Sequence, residues 1–175
     1  MGVVPTSSWS VFDAGTGTGL ISNTSEARFG KNVLRMRYRD VTGGFVSGAA
    51  VTTIPASLDP PDGYLVENGD TLLLRIWLKH VFDVPLPAGN TVTNLIFQMF
   101  HPGPGAPVSS VVSLPDVNAL ANPTGWNLFT VDVPITDDAE EFVLTLVNNG
   151  GGPARPHIES WLVDMVELLR QPTGV

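Results

Sequence analysis

Three histidines, seventeen carboxylates and four tryptophans are the side chains from which this chain could build chemistry. His80, His101 and His157 each stand beside a loop and form no H-x-x-x-H or H-E-x-x-H pair, the spacing that puts two imidazoles on one helix face around zinc. No G-x-S-x-G places a serine on a strained elbow next to a base. The absence of cysteine removes disulfides, thiolate nucleophiles and Cys-based zinc sites together. Two strands can always bring carboxylates face to face as glycoside hydrolysis needs, but Asp137-Asp138 and Glu140-Glu141 read as a solvated turn. In GTGTGL, Leu20 stands where a dinucleotide loop needs its third glycine and Ile21 to Ser25 cannot open a helix, so the run is a turn. No catalytic constellation emerges, and the chain is read as non-catalytic.

The remaining chemistry is recognition. Trp77, flanked by Arg75 and Lys79, is either a partly covered platform or a packing residue with cations stacked on it. Tyr64 and Trp126 are further rings suited to stacking against sugar. Arg35, Arg37 and Arg39 alternate along one run; they form either a solvated strand face paired with acidic residues or a docking stripe for an acidic protein surface or acidic sugar.

Strands must position these residues. Lys31 to Asp40 sets Leu34, Met36 and Tyr38 against the arginines, and Thr71 to His80 sets Leu72, Leu74, Ile76 and Leu78 against Arg75, Trp77 and Lys79. Phe45 to Ile54 reads as one strand of small residues, and Thr93 to His101 as a central strand apolar on both faces. Three runs follow in quick succession, GWNLFTVDVPI, FVLTLVNN and HIESWLVDMVELL, and make half of a sandwich. Leu72, Leu74, Ile76, Phe129, Val131, Phe142, Leu144 and Val163 are the expected core. Val111 to Leu114 is an edge strand, and Asp116 to Ala121 one helical turn. The fold class is all-β, an antiparallel jelly-roll β-sandwich of about eight strands with almost no helix, in one domain spanning residues 1–175 with a short flexible N-terminus and a C-terminal tail.

Two proline- and glycine-rich stretches, Pro55 to Gly69 and Pro102 to Thr124, exceed ordinary connections. Tyr64, Leu65, Val111, Val112 and Leu114 within them are apolar groups that a lone copy leaves wet, which marks a docking surface. A formal net charge of -8 with nine basic residues argues against nucleic acid. The amino terminus carries no basic region followed by an apolar run, and no run reaches the ~20 apolar residues of a membrane span.

The succession GDTLLLRIWLKH, GWNLFTVDVPI with FVLTLVNN, and WLVDMVEL, together with the early SVFDAGTGTG, resembles the carbohydrate-binding modules of the galactose-binding-like jelly-roll group, from Trp9 to Leu168. The resemblance implies a structural calcium between Asp13 and Asp164, although Met165 replaces the second Asp of the closing pair and Asp13 is shorter than the usual Glu; otherwise Asp164 hydrogen-bonds a loop. Such modules usually ride on secreted enzymes. With no export signal in the sequence, the resemblance is taken to imply a non-catalytic virion structural protein, a capsid decoration or tail component of a bacteriophage. It would sit in the virion and assemble through its long loops with identical copies and a capsid or tail protein. The alternative is a carbohydrate-binding module recognising a glycan.

Overall fold

Leu72, Leu74, Ile76 and Leu78 are completely buried in the computed structural model, while Leu73, Arg75, Trp77 and Lys79 between them are half-buried. This is the period-2 division of a strand with its inner face in a core, and full burial of such side chains is worth about 1.5–3 kcal/mol each. The structure describes residues 2–4, 10–12, 19–21, 24–41, 44–47, 49–55, 66–84, 94–101, 106–114, 125–138, 141–149 and 157–170. Side chains are described for 24–37, 66–81, 95–101, 106–114, 125–138 and 160–169.

Twelve strands lie among these residues and no helix does: β1 (Gly2–Val4), β2 (Ser10–Phe12), β3 (Gly19–Ile21), β4 (Val33–Val41), β5 (Gly44–Ser47), β6 (Ala49–Pro55), β7 (Thr71–Val84), β8 (Asn94–Phe100), β9 (Val112–Ser113), β10 (Asn127–Pro134), β11 (Glu141–Asn149) and β12 (His157–Arg170). All pair antiparallel. One sheet runs β10-β7-β12-β4-β3, with β1 also on β12 and β5 also on β4; the second runs β2-β6-β11-β8-β9. The core lies between them, built from Leu34, Met36, Trp161 and Val163 of the first sheet and Leu95, Phe97 and Met99 of the second. The all-β antiparallel sandwich is as the alternation implies, with more strands than eight.

Four sequence expectations change. The apparent strand Phe45 to Ile54 is two: β5, ending at Ser47, pairs with β4 in the first sheet, and β6, starting at Ala49, pairs with β11 in the second. The three closing runs are not neighbours, because β10 and β12 lie on either side of β7 while β11 joins β6 and β8. Period-2 alternation marks a face to bury but not which sheet it buries against. Phe129 and Val131 are only partly buried against the core, because β10 is the outermost strand on its side of the sheet. Strand β8 lies one place from an edge, with Leu95, Phe97 and Met99 buried and Ile96, Gln98 and Phe100 half-buried. The side chains of Phe142 and Leu144, and the Asp116 to Ala121 turn, lie outside the described residues.

Within the long connection Pro102 to Thr124, the described residues 106–114 contradict its reading as a wet docking loop. Val112 and Leu114 are 7% and 4% exposed and belong to the core, whereas Val111, between Ser110 and Val112, is 55% exposed. The backbone accounts for this. Short edge strand β9 pairs with β8 in the second sheet, with Val112 in the core. Before it, Val108 N–H donates to Met99 O, Ser110 N–H to Pro134 O, and Thr136 N–H to Val108 O. Residues 108–110 thus bond to both sheets, with the Val108 side chain fully buried between them.

Candidate functional site

The last strand carries a residue that its own pattern does not need. Trp161 and Val163 are buried in the core, and so are Val166 and Leu168, yet strict alternation would turn one of these pairs to the opposite face. The register against β7 shifts between Asp164 and Val166: Asp164 opposes Trp77 and Val166 opposes Ile76. Met165 is the extra residue, in a left-handed conformation with φ 50° that non-glycine residues rarely adopt. The bulge keeps both apolar pairs inside and leaves Asp164 beside Trp77 on the outer face.

Asp164 is 4% exposed and its Oδ2 accepts two backbone N–H bonds, from Arg28 at 2.8 Å and Phe29 at 2.9 Å. A buried carboxylate taking two donors is a strong anchor. It fixes the β3–β4 connection on the outer face, and Gly30 at φ 66° turns the chain back toward β4. There the Arg28 guanidinium lies 4.6 Å from the Trp77 ring centre and 5.2 Å from that of Phe29. The Phe29 ring meets Trp77 edge-on, at 5.9 Å and 73°. Trp77 is therefore a packed, half-buried ring with a cation on it, and the ring presented to solvent is Phe29, 44% exposed. Around them Arg75 pairs with Glu167 at 3.2 Å, and Leu128, opposite Trp77 on β10, is 39% exposed.

The sequence candidates distribute as follows. Trp77 and Asp164, assigned to separate roles, are cross-strand neighbours of one constellation. Trp126 is half-buried immediately before β10, near the same end of β7. Arg35 and Arg37 are half-buried, and Arg35 pairs with Glu26 of the β3–β4 connection at 3.6 Å. Arg39 lies on β4 opposite Ile158, its side chain outside the described residues. Tyr64, Leu65 and Asp13 lie outside them altogether. Asp164 Oδ2 is already turned to N–H donors. Asp164 Oδ2 thus hydrogen-bonds the β3–β4 connection. Arg28 and Phe29 were missed as site residues because they sit between turn residues, where no periodicity points at a face; a basic-aromatic pair followed by glycine was the available signal.

A second polar cluster closes one end of the sandwich. His101 Nε2 lies 3.1 Å from Asp137 Oδ2, linking the end of β8 to the turn after β10. Asn68 N–H donates to Asp138 Oδ1 and Glu67 N–H to Asp70 Oδ2. The His101 hydrogen bond, aided by the Asp138 N–H, holds the Asp137 carboxyl below its ordinary value.

No protein-family model matches the sequence, and no curated protein does. Solved structures do match. A CBM4 structure superposes with a TM-score of 0.52 at 16% identity, over 94% of this chain and 96% of that one. The enzymatically active domain of bacteriophage CBA120 tailspike protein 4 superposes with a TM-score of 0.52 at 15% identity, covering 93% of this chain but 20% of that one. The CBM22-1 xylan-binding domain of Paenibacillus barcinonensis Xyn10C gives 0.49 at 13% identity, over 95% and 89%. At these identities the likeness is one of fold. The chain has the β-sandwich fold of the carbohydrate-binding modules.

Proposed function

We propose that the chain is a non-catalytic glycan-binding module whose contact surface is the Phe29, Trp77 and Arg28 constellation. The observation that carries this is an exposed aromatic ring held rigidly. Phe29 has its backbone N–H on a buried carboxylate and its ring edge against Trp77, so little conformational entropy is lost when a sugar stacks on it. The fold shared with a CBM4 structure supports the same reading. Binding to a panel of immobilised polysaccharides tests it. Retention on at least one, weakened about tenfold or more in Phe29→Ala with an unchanged circular dichroism spectrum, is the expected result. Failure to bind any glycan refutes it.

A second reading, as a component of a bacteriophage particle, is supported by the fold shared with part of a tailspike chain. The loop argument for it has narrowed to Val111 with Tyr64 and Leu65, since Val112 and Leu114 are buried. A size measurement in solution tests assembly with identical copies, and mass spectrometry of purified particles tests association with a capsid or tail protein.

A further inference from the structure

We infer, resting on the glycan-binding reading above, that the ligand at Phe29 and Trp77 is an acidic glycan whose carboxylate is taken by Arg28, with Lys79 as a second cation. A cation is built into the aromatic surface: the Arg28 guanidinium lies 4.6 Å from the Trp77 ring centre and 5.2 Å from that of the exposed Phe29, so a sugar on Phe29 meets a positive charge beside it. A guanidinium at cation–π distance from a ring keeps N–H donors for a carboxylate, which its fork matches bidentately. Arg28 is exposed, and among the described residues no carboxylate lies within 4 Å of its guanidinium. Asp164, the acidic group nearest in the chain's geometry, meets the Arg28 backbone N–H instead.

Charge placement points the same way. Of nine basic residues in a chain of net charge -8, all but Arg155 belong to the first sheet or its β3–β4 connection: Arg28 and Lys31 in the connection, Arg35, Arg37 and Arg39 on β4, Arg75 and Lys79 on β7, and Arg170 at the end of β12, which runs between β4 and β7. Several are already compensated, Arg35 by Glu26 and Arg75 by Glu167. Lys79 has no acidic partner within 4 Å among the described residues and lies on the Trp77 face about 7 Å further along the strand, roughly the reach from one sugar to the next. Asp132, the acid on the same face of β10, opposes Leu73, about 13 Å from Trp77 along the strand and beyond a Debye length of about 10 Å. The negative remainder of the molecule repels polyanions in general, so binding concentrates where the cations stand.

Matched polymers that differ only in charge test the inference: polygalacturonate against its methyl ester, alginate against its propylene glycol ester, hyaluronan against its carboxyl-reduced form. In at least one pair the acid should bind about tenfold or more tighter than its neutral counterpart, weaken as salt rises, and lose about tenfold in Arg28→Gln with partial recovery in Arg28→Lys. Equal binding of both members in every pair that binds overturns the acidic class while leaving the glycan reading intact, as does binding to neutral polymers alone. No retention on any polymer, acidic or neutral, overturns the glycan reading with it. Equal affinity for single-stranded DNA would show a general anion surface and overturns the assignment to sugar. Phe29→Ala separates these cases, since a purely electrostatic surface keeps its affinity without the ring.

Discussion

Replacing Asp164 by alanine removes the acceptor of two N–H bonds, from Arg28 and Phe29, in a position 4% exposed. Hydrogen bonds to a charged group contribute about 1.5–3 kcal/mol each, and water can re-solvate part of this connection because Arg28 and Phe29 are exposed, so the lower figure for each bond gives a loss of about 3 kcal/mol. For a chain of 175 residues this lowers the melting temperature by about 6–12 °C. Asp164→Asn keeps a carbonyl acceptor without the charge and should lose about half as much. Denaturant titration measures both: the midpoint should fall with an unchanged slope, because the mutation alters stability and not the surface exposed on unfolding. Tryptophan fluorescence adds a local readout, since releasing the connection uncovers Trp77. If the two N–H donors are all that the Asp164 carboxylate holds, the wild-type melt should be the same with and without a calcium chelator. A change within about 0.5 kcal/mol in Asp164→Ala would refute the anchoring role, and a chelator-sensitive melt would restore the shared ion with Asp13.

Met165→Ile should destabilise by about 1–2 kcal/mol, because a β-branched residue suits φ 50° worse than methionine does, while Met165→Gly should be close to neutral; thermal melts check both. Val108→Ala should cost about 2 kcal/mol for two buried methyl groups and the space they leave, and deletion of Gly105 to Ser110 should prevent folding, seen as loss of the strand circular dichroism signal. His101→Ala should raise the Asp137 titration midpoint toward its ordinary value, followed by carboxyl chemical shifts. Because Asp137 is depressed in the folded state, its stabilisation is present above its unfolded value near 3.8 and fades as pH falls through the folded value, and His101→Ala should flatten that acid limb.

The strands were legible where one face is wet and the other dry. Leu72 to Leu78 and Leu34 with Met36 carry a period-2 signal, and they are buried as that signal requires. Sheet membership was not legible, because β5 and β6 read as one continuous small-residue run and nothing in Phe45 to Ile54 marks the change of sheet. Composition also misread the connection after β8. Its prolines and serines look like a surface loop, yet Val108, Val112 and Leu114 within it are core. Loop-like composition fixes only what the backbone can do, and burial depends on long-range bonds such as Thr136 N–H to Val108 O that leave no local trace. At the site, Trp77 was visible as a ring among cations, but the cation lying over it came from Arg28, 49 residues earlier in the sequence than Trp77.

The bulge at Met165 ties the core to the candidate site. A β12 without it would carry Trp161 and Val163 inward and Val166 and Leu168 outward, or the reverse, exposing two large apolar side chains at about 1.5–3 kcal/mol each. The cost of one left-handed residue, about 1–2 kcal/mol, is smaller, so the core selects the bulged register. That register sets Asp164 outward opposite Trp77, where its carboxylate can reach the N–H groups of Arg28 and Phe29. The ring and cation offered to a ligand are therefore held by the same irregularity that completes the hydrophobic core. Changes to the core on either side of residue 165 should alter ligand affinity through register before they alter it through contact.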